Sequence, residues 1–395
     1  MGISATIKAI KNILEKEKSY TITSVLAEDQ DLTACCVDVS GDAEMDVYNY
    51  DSIIDFSNFL MHALRLYVNK HAVSQHCGVD DVPLNEKELL SVYEQFKDKI
   101  DSMEFIKLLL FCRTAFDRFV VKTTSDTADQ EDGQRWMLIK PKQYGKSWKY
   151  VDSFGVSDKG LVVKAISLLQ VTFRSRVYKQ WLFETLSWLY DECFSTGDFA
   201  TISPSRYLGF LHGYMLEYYK KQAFNIPIAG KNDNLTPETT YSKGTDTPHF
   251  LLNFIDYLYW CDSGKRAKYE LKDFDFKYWN SVEHHLAQNT GGEGCPYIDN
   301  LGNLCLVSKS SNSRLSDRDV RQKVQAYGKG NLGPNRQVIY AMTESGDMGE
   351  KWTWGECQIR DHYIEVSELL DRREDLLRQC QGECNESNMA DVLKA

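Results

Sequence analysis

Apolar residues recur at three- and four-residue spacing through most of the first 260 positions, a period that admits amphipathic helices and little else. FSNFLMHALRLYVNKHAV, EKELLSVYEQFKDKI and SMEFIKLLLFCRTAFDRFVV carry it, with Pro83 and Asn85 marking a loop and a helix start between the first two. It resumes in GLVVKAISLLQVTF, KQWLFETLSWLYDECF, RYLGFLHGYMLEYYKKQAF and HFLLNFIDYLYWCDSG. Two stretches interrupt it. Residues 122–155 combine polar KTTSDTADQEDGQ with strand-like RWMLIKP and read as a surface excursion, while polar 225–248 reads as a linker or mobile loop.

Near residue 265 the texture changes. KYELKDFDFKYWNSVEHHL alternates aromatic and polar residues as short strands do, and glycine-rich turns follow at 291–294 and 328–333. WTWGECQIRDHYIEVSELLDRREDLLRQC is helical again, with a polar tail after Gly382. The expected fold class is therefore α+β. A helical domain spans 1–264 with a loop and strand excursion near 122–155, a small α+β domain spans 265–345, and a C-terminal helix and polar tail complete 346–395.

No run of eighteen apolar residues exists, which argues against a membrane-spanning helix. The N-terminus, MGISATIKAIKNILEKEKSY, reads as an amphipathic helix and lacks the apolar core and cleavage site of a signal peptide. A cytoplasmic location is expected. Eleven cysteines, odd in number and scattered, lack paired CxxC spacing; Cys35-Cys36 and Cys380/Cys384 have no such partners, and Cys112 lies inside an apolar helix. Buried free thiols are expected, with no structural zinc. The net charge of −11 argues against a chain that coats nucleic acid over its whole surface. Residues 309–336 nonetheless hold seven basic side chains against two acidic ones: Lys309, Arg314, Arg318, Arg321, Lys323, Lys329 and Arg336 against Asp317 and Asp319. A solvated helix face and a phosphate-binding stretch both account for that run.

Two motifs carry less than they suggest. Asp132-Gly133-Gln134-Arg135 resembles a fragment of a nucleotide-hydrolase signature, but the strand-like WMLIKP follows where a helix should, so it reads as a turn. The glycines of GGEG and GKGNLG have neither the spacing nor the strand–helix context of a phosphate loop.

The constellation suited to chemistry is Val282-Glu283-His284-His285-Leu286 followed by IDNLGNLCLVSKSSNSRLSD. It sets a carboxylate beside a histidine, then supplies Asn303 in Gly-Asn-Leu and Asn312 in Ser-Asn-Ser. Phosphodiester hydrolysis needs a base that works near neutrality and oxygen donors for a hard cation, and these residue types meet both needs. A strand, a loop, a second strand and a helix fit the spacing. Glu283 and His284 would point to opposite faces of a regular strand, so the strand must end or twist there. His285 reads as a partly exposed neighbour or an extra phosphate contact.

NSVEHHLAQN, DNLGNLCLVSKSSNS and the later Lys323 resemble the HNH (ββα-metal) domain of GmrSD-type modification-dependent restriction and phage-defence proteins, whose pattern is Glu-His-Ile-x-Pro-Gln, Gly-Asn-Leu-x-Leu and Asn-Ser. His285 and Ala287 depart from it. The helical segments SIIDFSNFLMHALRLY, FIKLLLFCRTAFDRFVVK and HFLLNFIDYLYW are similar to the middle region of the same proteins, and WTWGECQIRDHYIEV to their C-terminal helix. The resemblance implies a Mg²⁺ or Mn²⁺ centre with Glu283 and Asn312 as ligands and His284 as general base. It makes Asn303 the residue that holds the base-bearing loop. Lys309, Arg314, Arg318, Arg321 and Lys323 would then grip DNA. The ParB/sulfiredoxin-like NTPase and sensor part of such proteins has no counterpart in this chain, which resembles their effector half.

The leading expectation is an HNH endonuclease, a phosphodiester hydrolase that nicks or cleaves DNA in restriction and phage defence. The alternative is a helical protein-interaction module whose nuclease domain stays silent until a separate NTPase or sensor subunit binds. RNA cleavage differs from the first only in substrate.

Overall fold

The computed structural model describes residues 50–71, 82–124, 135–144, 147–154, 159–173, 179–228, 235–289, 294–315, 318–328, 330–345 and 352–392. The expected N-terminal helix, Cys35-Cys36, Asp132-Gly133-Gln134 and Lys329 lie outside them. Helices dominate and the small sheets are antiparallel, an α+β fold. No described helix is long and apolar enough to cross a membrane.

Packing divides the chain into two compact units, each discontinuous in sequence. The first comprises Met1–Thr124, Met137–Ser153 and Arg174–Ile202; the second comprises Ser125–Trp136, Phe154–Phe173 and Ser203–Ala395. This differs from the consecutive division at residue 264. The helix just before that point is buried on all sides and packs with later elements, so spatial neighbours rather than chain order draw the line.

In the first unit, α1 (Phe56–Lys70) begins at Asp55, whose carboxylate accepts the Asn58 N–H at 2.9 Å. α2 (Ser102–Phe119) begins the same way at Asp101. Their apolar faces meet through edge-to-face pairs, Phe59 with Phe116 and Tyr67 with Phe105. The helix Gln180–Cys193 closes this core, with Tyr190 against Phe111 and the Phe183 ring under the Arg65 guanidinium. RWMLIKP contributes the short strand Arg135–Met137, whose first two residues fall in the second unit, and then β1 (Ile139–Tyr144), which forms a hairpin with β2 (Ser147–Asp152) beside α2. Pro141 is tolerated because a two-stranded sheet has only edge strands.

The second unit gathers α3 (Lys159–Thr172), α4 (Pro204–Gln222) and α5 (His249–Cys261) with the small sheet of β3 (Ser281–His284) and β4 (Leu304–Val307). After β4 come α6 (Lys309–Leu315), α7 (Val320–Tyr327), α8 (Pro334–Ser345), α9 (Glu356–Asp371) and α10 (Arg373–Val392). The single C-terminal helix of the sequence is thus two. The strand alternation expected from residue 268 is confined to Ser281–His284. Before it, the backbone finds other partners: Lys272 N–H on Gln337 Oε1 at 2.8 Å and Asp275 N–H on Asn331 Oδ1 at 3.0 Å. α5 is the hub, with α3, α8, α9, α10 and β4 around it.

Burial holds the rings of His62 and His212 down to about 3 from an ordinary 6.5, because desolvation penalises the charged imidazole. With the folded-state value depressed, the unfolded chain takes up the proton first. Stability is therefore intact above 6.5 and falls by about 1.4 kcal/mol per pH unit per histidine below it. Asp256 acts oppositely: burial pushes it up from 3.8 to about 7, so between those values the folded state holds the extra proton and offsets one histidine. Urea unfolding on the acid side of neutrality is expected to show stability lost as pH falls. His212→Gln should remove about 1.4 kcal/mol per pH unit from that slope.

Candidate active site

β3 and β4 pair with Glu283 opposite Cys305 and His284 opposite Leu304, and all four residues of β4 are buried. Strand, loop, strand and helix follow in the expected order. His284 is the last residue of β3, so the strict alternation that would separate it from Glu283 ends there.

The loop between the strands is tied down by Asn303. Its Oδ1 accepts the Leu286 N–H at 2.8 Å and the Trp354 indole N–H at 3.0 Å; its Nδ2 donates to the carbonyls of Leu286 at 3.2 Å and Ile298 at 2.8 Å. Fully buried with its polar atoms engaged, Asn303 clamps the turn after His284 to the turn before β4. Gly302 beside it packs directly on α9. A Cβ there would collide with the carbonyl of Ile359, while the Gly302 carbonyl meets His362 Nδ1 at 2.7 Å. The Gly-Asn dipeptide thus follows from close approach at one residue and a fourfold amide clamp at the next.

Lys323 changes its role. It is 1% exposed, and its ammonium donates to Glu283 Oε1 at 2.8 Å and to the carbonyls of His284 at 2.7 Å and His285 at 3.1 Å. An ammonium enclosed in this way is not a surface phosphate contact; it fastens α7 to the end of β3. Arg336 also leaves the basic face, buried with its guanidinium on Tyr340 Oη at 2.7 and 2.9 Å. Lys309, Arg318 and Arg321 are exposed, Arg321 lying 5.8 Å from the Trp352 ring centre, and the Arg314 side chain lies outside the described residues. His285 is a further correction: it is 1% exposed, with Nε2 on Thr343 Oγ1 at 2.9 Å between Tyr340 and Trp354. Desolvation first, then the nearby Lys323 charge, holds its ring well below the ordinary value and so neutral.

His284 meets a partner that sequence reasoning passed over. Its Nε2 lies 2.8 Å from Asp299 Oδ1, which also accepts from Gln288 Nε2 at 3.2 Å. Among the described residues Asp299 is the hydrogen-bond partner of this ring. Gly244, at φ 53°, makes the close approach possible, since a Cβ there would strike the Asp299 carboxylate; its N–H donates to the Asp299 carbonyl at 2.9 Å. Asn300, fully buried, donates to Thr240 Oγ1 at 2.8 Å and accepts the Gly302 N–H at 2.8 Å, fixing the same turn. The only signal was an acid inside IDNLGN, with no spacing rule to connect it to His284.

Asn312, on α6, donates its Nδ2 to Ser281 Oγ at 2.6 Å. Ser281 and Glu283 are two apart on β3, so Asn312 reaches the Glu283 face of the strand. Its Oδ1 remains the acceptor, and the Glu283 carboxylate has a second oxygen beyond the one on Lys323. Two oxygen donors of this kind fit a hard divalent cation that keeps several waters. Among the described residues no group of three or more His, Cys, Asp or Glu side chains is placed to hold a metal. Any cation here would rest on few protein ligands.

A short antiparallel strand pair, a Glu-His pair at its end and an asparagine on the following helix define a small α+β domain built around one polar site. Residues 232–369 match the family model described as GmrSD restriction endonucleases, C-terminal domain. No curated protein and no solved structure matches the chain.

Lys323→Met is expected to destabilise the second unit by about 3–5 kcal/mol, because it leaves a buried carboxylate unpaired. Gly302→Ala should cost about 1–3 kcal/mol through overpacking against α9. Urea unfolding followed by tryptophan fluorescence measures both.

Proposed function

We propose that this chain is a metal-dependent HNH endonuclease that nicks or cleaves DNA in the cytoplasm, in restriction and anti-phage defence. The observation that carries the reading is the Glu283–His284 pair at the end of β3, with Asn312 on the Glu283 face, inside the matched region. His284 takes the proton from the attacking water. Asp299 holds its ring: with Nε2–H donated to the carboxylate, Nδ1 is the nitrogen left to accept that proton. Glu283 and Asn312 hold Mg²⁺ or Mn²⁺, which when bound supplies charge neutralisation at the scissile phosphate. Asn303 keeps the His284 loop in place, and Lys309, Arg314, Arg318 and Arg321 contact flanking phosphates.

Plasmid nicking with Mg²⁺ or Mn²⁺ tests the reading. Relaxed circles are expected from the wild type and none from His284→Ala; nicking that survives this change would overturn the assignment. Asp299→Asn should lower kcat about 10- to 100-fold with KM little changed, as read from initial rates. Glu283→Gln with Asn312→Ala should weaken Mn²⁺ binding measured by electron paramagnetic resonance without DNA.

A further inference from the structure

In the first unit, the β1–β2 hairpin concentrates positive charge in a chain of net charge −11. Residues 139–152 hold Lys140, Lys142, Lys146 and Lys149 against a single carboxylate, Asp152 at the end of β2. The register sets Lys142 directly opposite Lys149, and alternation along β1 puts Lys140 and Tyr144 on the same face. Lys142 and Lys149 are exposed and make no ion pair with any described residue; the Lys142 ammonium lies 5.2 Å from the Tyr144 ring centre. Tyr144 is 47% exposed.

Arg118, on α2, extends the patch. Burial first, then the charges of Arg118 and Lys142, lowers the Lys140 pKa from its ordinary 10.5, so these cations feel one another. Arg118 Nε is buried without a hydrogen-bond partner among the described residues, and Asp198 is the carboxylate that acts on its charge. Lys140 itself is occupied, donating to the Ser153 carbonyl at 3.2 Å.

Like charges directly opposite on a sheet are destabilising. Lysine and proline on an edge strand guard against aggregation, which accounts for a lysine on each strand but not for setting two of them directly opposite one another. An opposed, unpaired lysine couple calls instead for an anion with repeating charges. Each strand has six residues, so the ribbon is roughly 20 Å long at ~3.4 Å per residue. A two-stranded ribbon of this form is admitted by the major groove of a duplex. Docking on an acidic protein would call for apolar anchors beside the charges, and this face offers lysines and one tyrosine.

We propose that the β1–β2 hairpin is a second DNA-binding surface, with Lys142, Lys149 and Arg118 on backbone phosphates and the Tyr144 hydroxyl as a further phosphate contact. The proposal rests on the nuclease reading for the choice of substrate, but its test needs no cleavage. Fluorescence anisotropy of a fluorescein-labelled duplex with the full chain in EDTA, over a salt series, measures binding alone. Replacing Lys142 and Lys149 by alanine together should raise Kd at least about tenfold and reduce the slope of log K against log salt by about 2. Circular dichroism should show unchanged melting, since both side chains are exposed.

Wild-type affinity and salt slope in the double variant would overturn the proposal. So would a wild-type chain that ignores the duplex and binds phosphatidylserine vesicles. If plasmid nicking requires His284 while the double variant keeps its Kd, the hairpin proposal fails and the nuclease reading stands. If the double variant loses binding while His284→Ala still nicks, the reverse holds.

Discussion

The ammonium of Lys323 is enclosed by a carboxylate and two backbone carbonyls, and the geometry of the site depends on that enclosure. A charge taken out of water is tolerable only when opposite charge and acceptors replace the water. Glu283 and the carbonyls of His284 and His285 do so together. One side chain from α7 therefore fixes the end of β3 with His284, the carboxylate of Glu283 and the start of the loop that follows. Hard cations and buried lysines want the same oxygens. In the proposed reading Glu283 would serve both, because a carboxylate has two.

The turns on either side of that pair are braced by neutral hydrogen bonds. Asn303 satisfies itself on four groups from three segments, Asn300 closes its own turn, and His362 on α9 donates to the Gly302 carbonyl. These groups lie in low dielectric, where each bond is strong and each missing bond is costly. The end of β3 and the turn before β4 are thereby braced where His284 and Asp299 make their 2.8 Å contact, Asp299 remaining half exposed. A histidine base needs this type of support, because a ring free to rotate offers the wrong nitrogen half the time.

Much of the architecture was legible because periodicity reports local burial. The helices of FSNFLMHALRLYVNK, SMEFIKLLLFCRTAFDRF and HFLLNFIDYLYWC fall where their apolar spacing put them. The aromatic alternation before Ser281 misled, since it describes side chains only, whereas that backbone is bonded to Gln337 and Asn331 instead of a strand. The division into units was illegible for a related reason: α5 has the period of its helical predecessors but packs with β4 and the helices after it.

Sequence by itself determined the α+β class, the strand–loop–strand–helix order and the residue types of the site, because each is written in local spacing. It also carried the run of cations from Lys309 to Arg336 as a single feature. Tertiary structure decided which of those cations meet solvent. Lys309, Arg318 and Arg321 do, while Lys323 is buried on Glu283 and Arg336 on Tyr340. It likewise brought Asp299 to His284 across fifteen positions of chain. Local spacing cannot show such pairings, because burial and partner choice belong to segments that meet only when the domain closes.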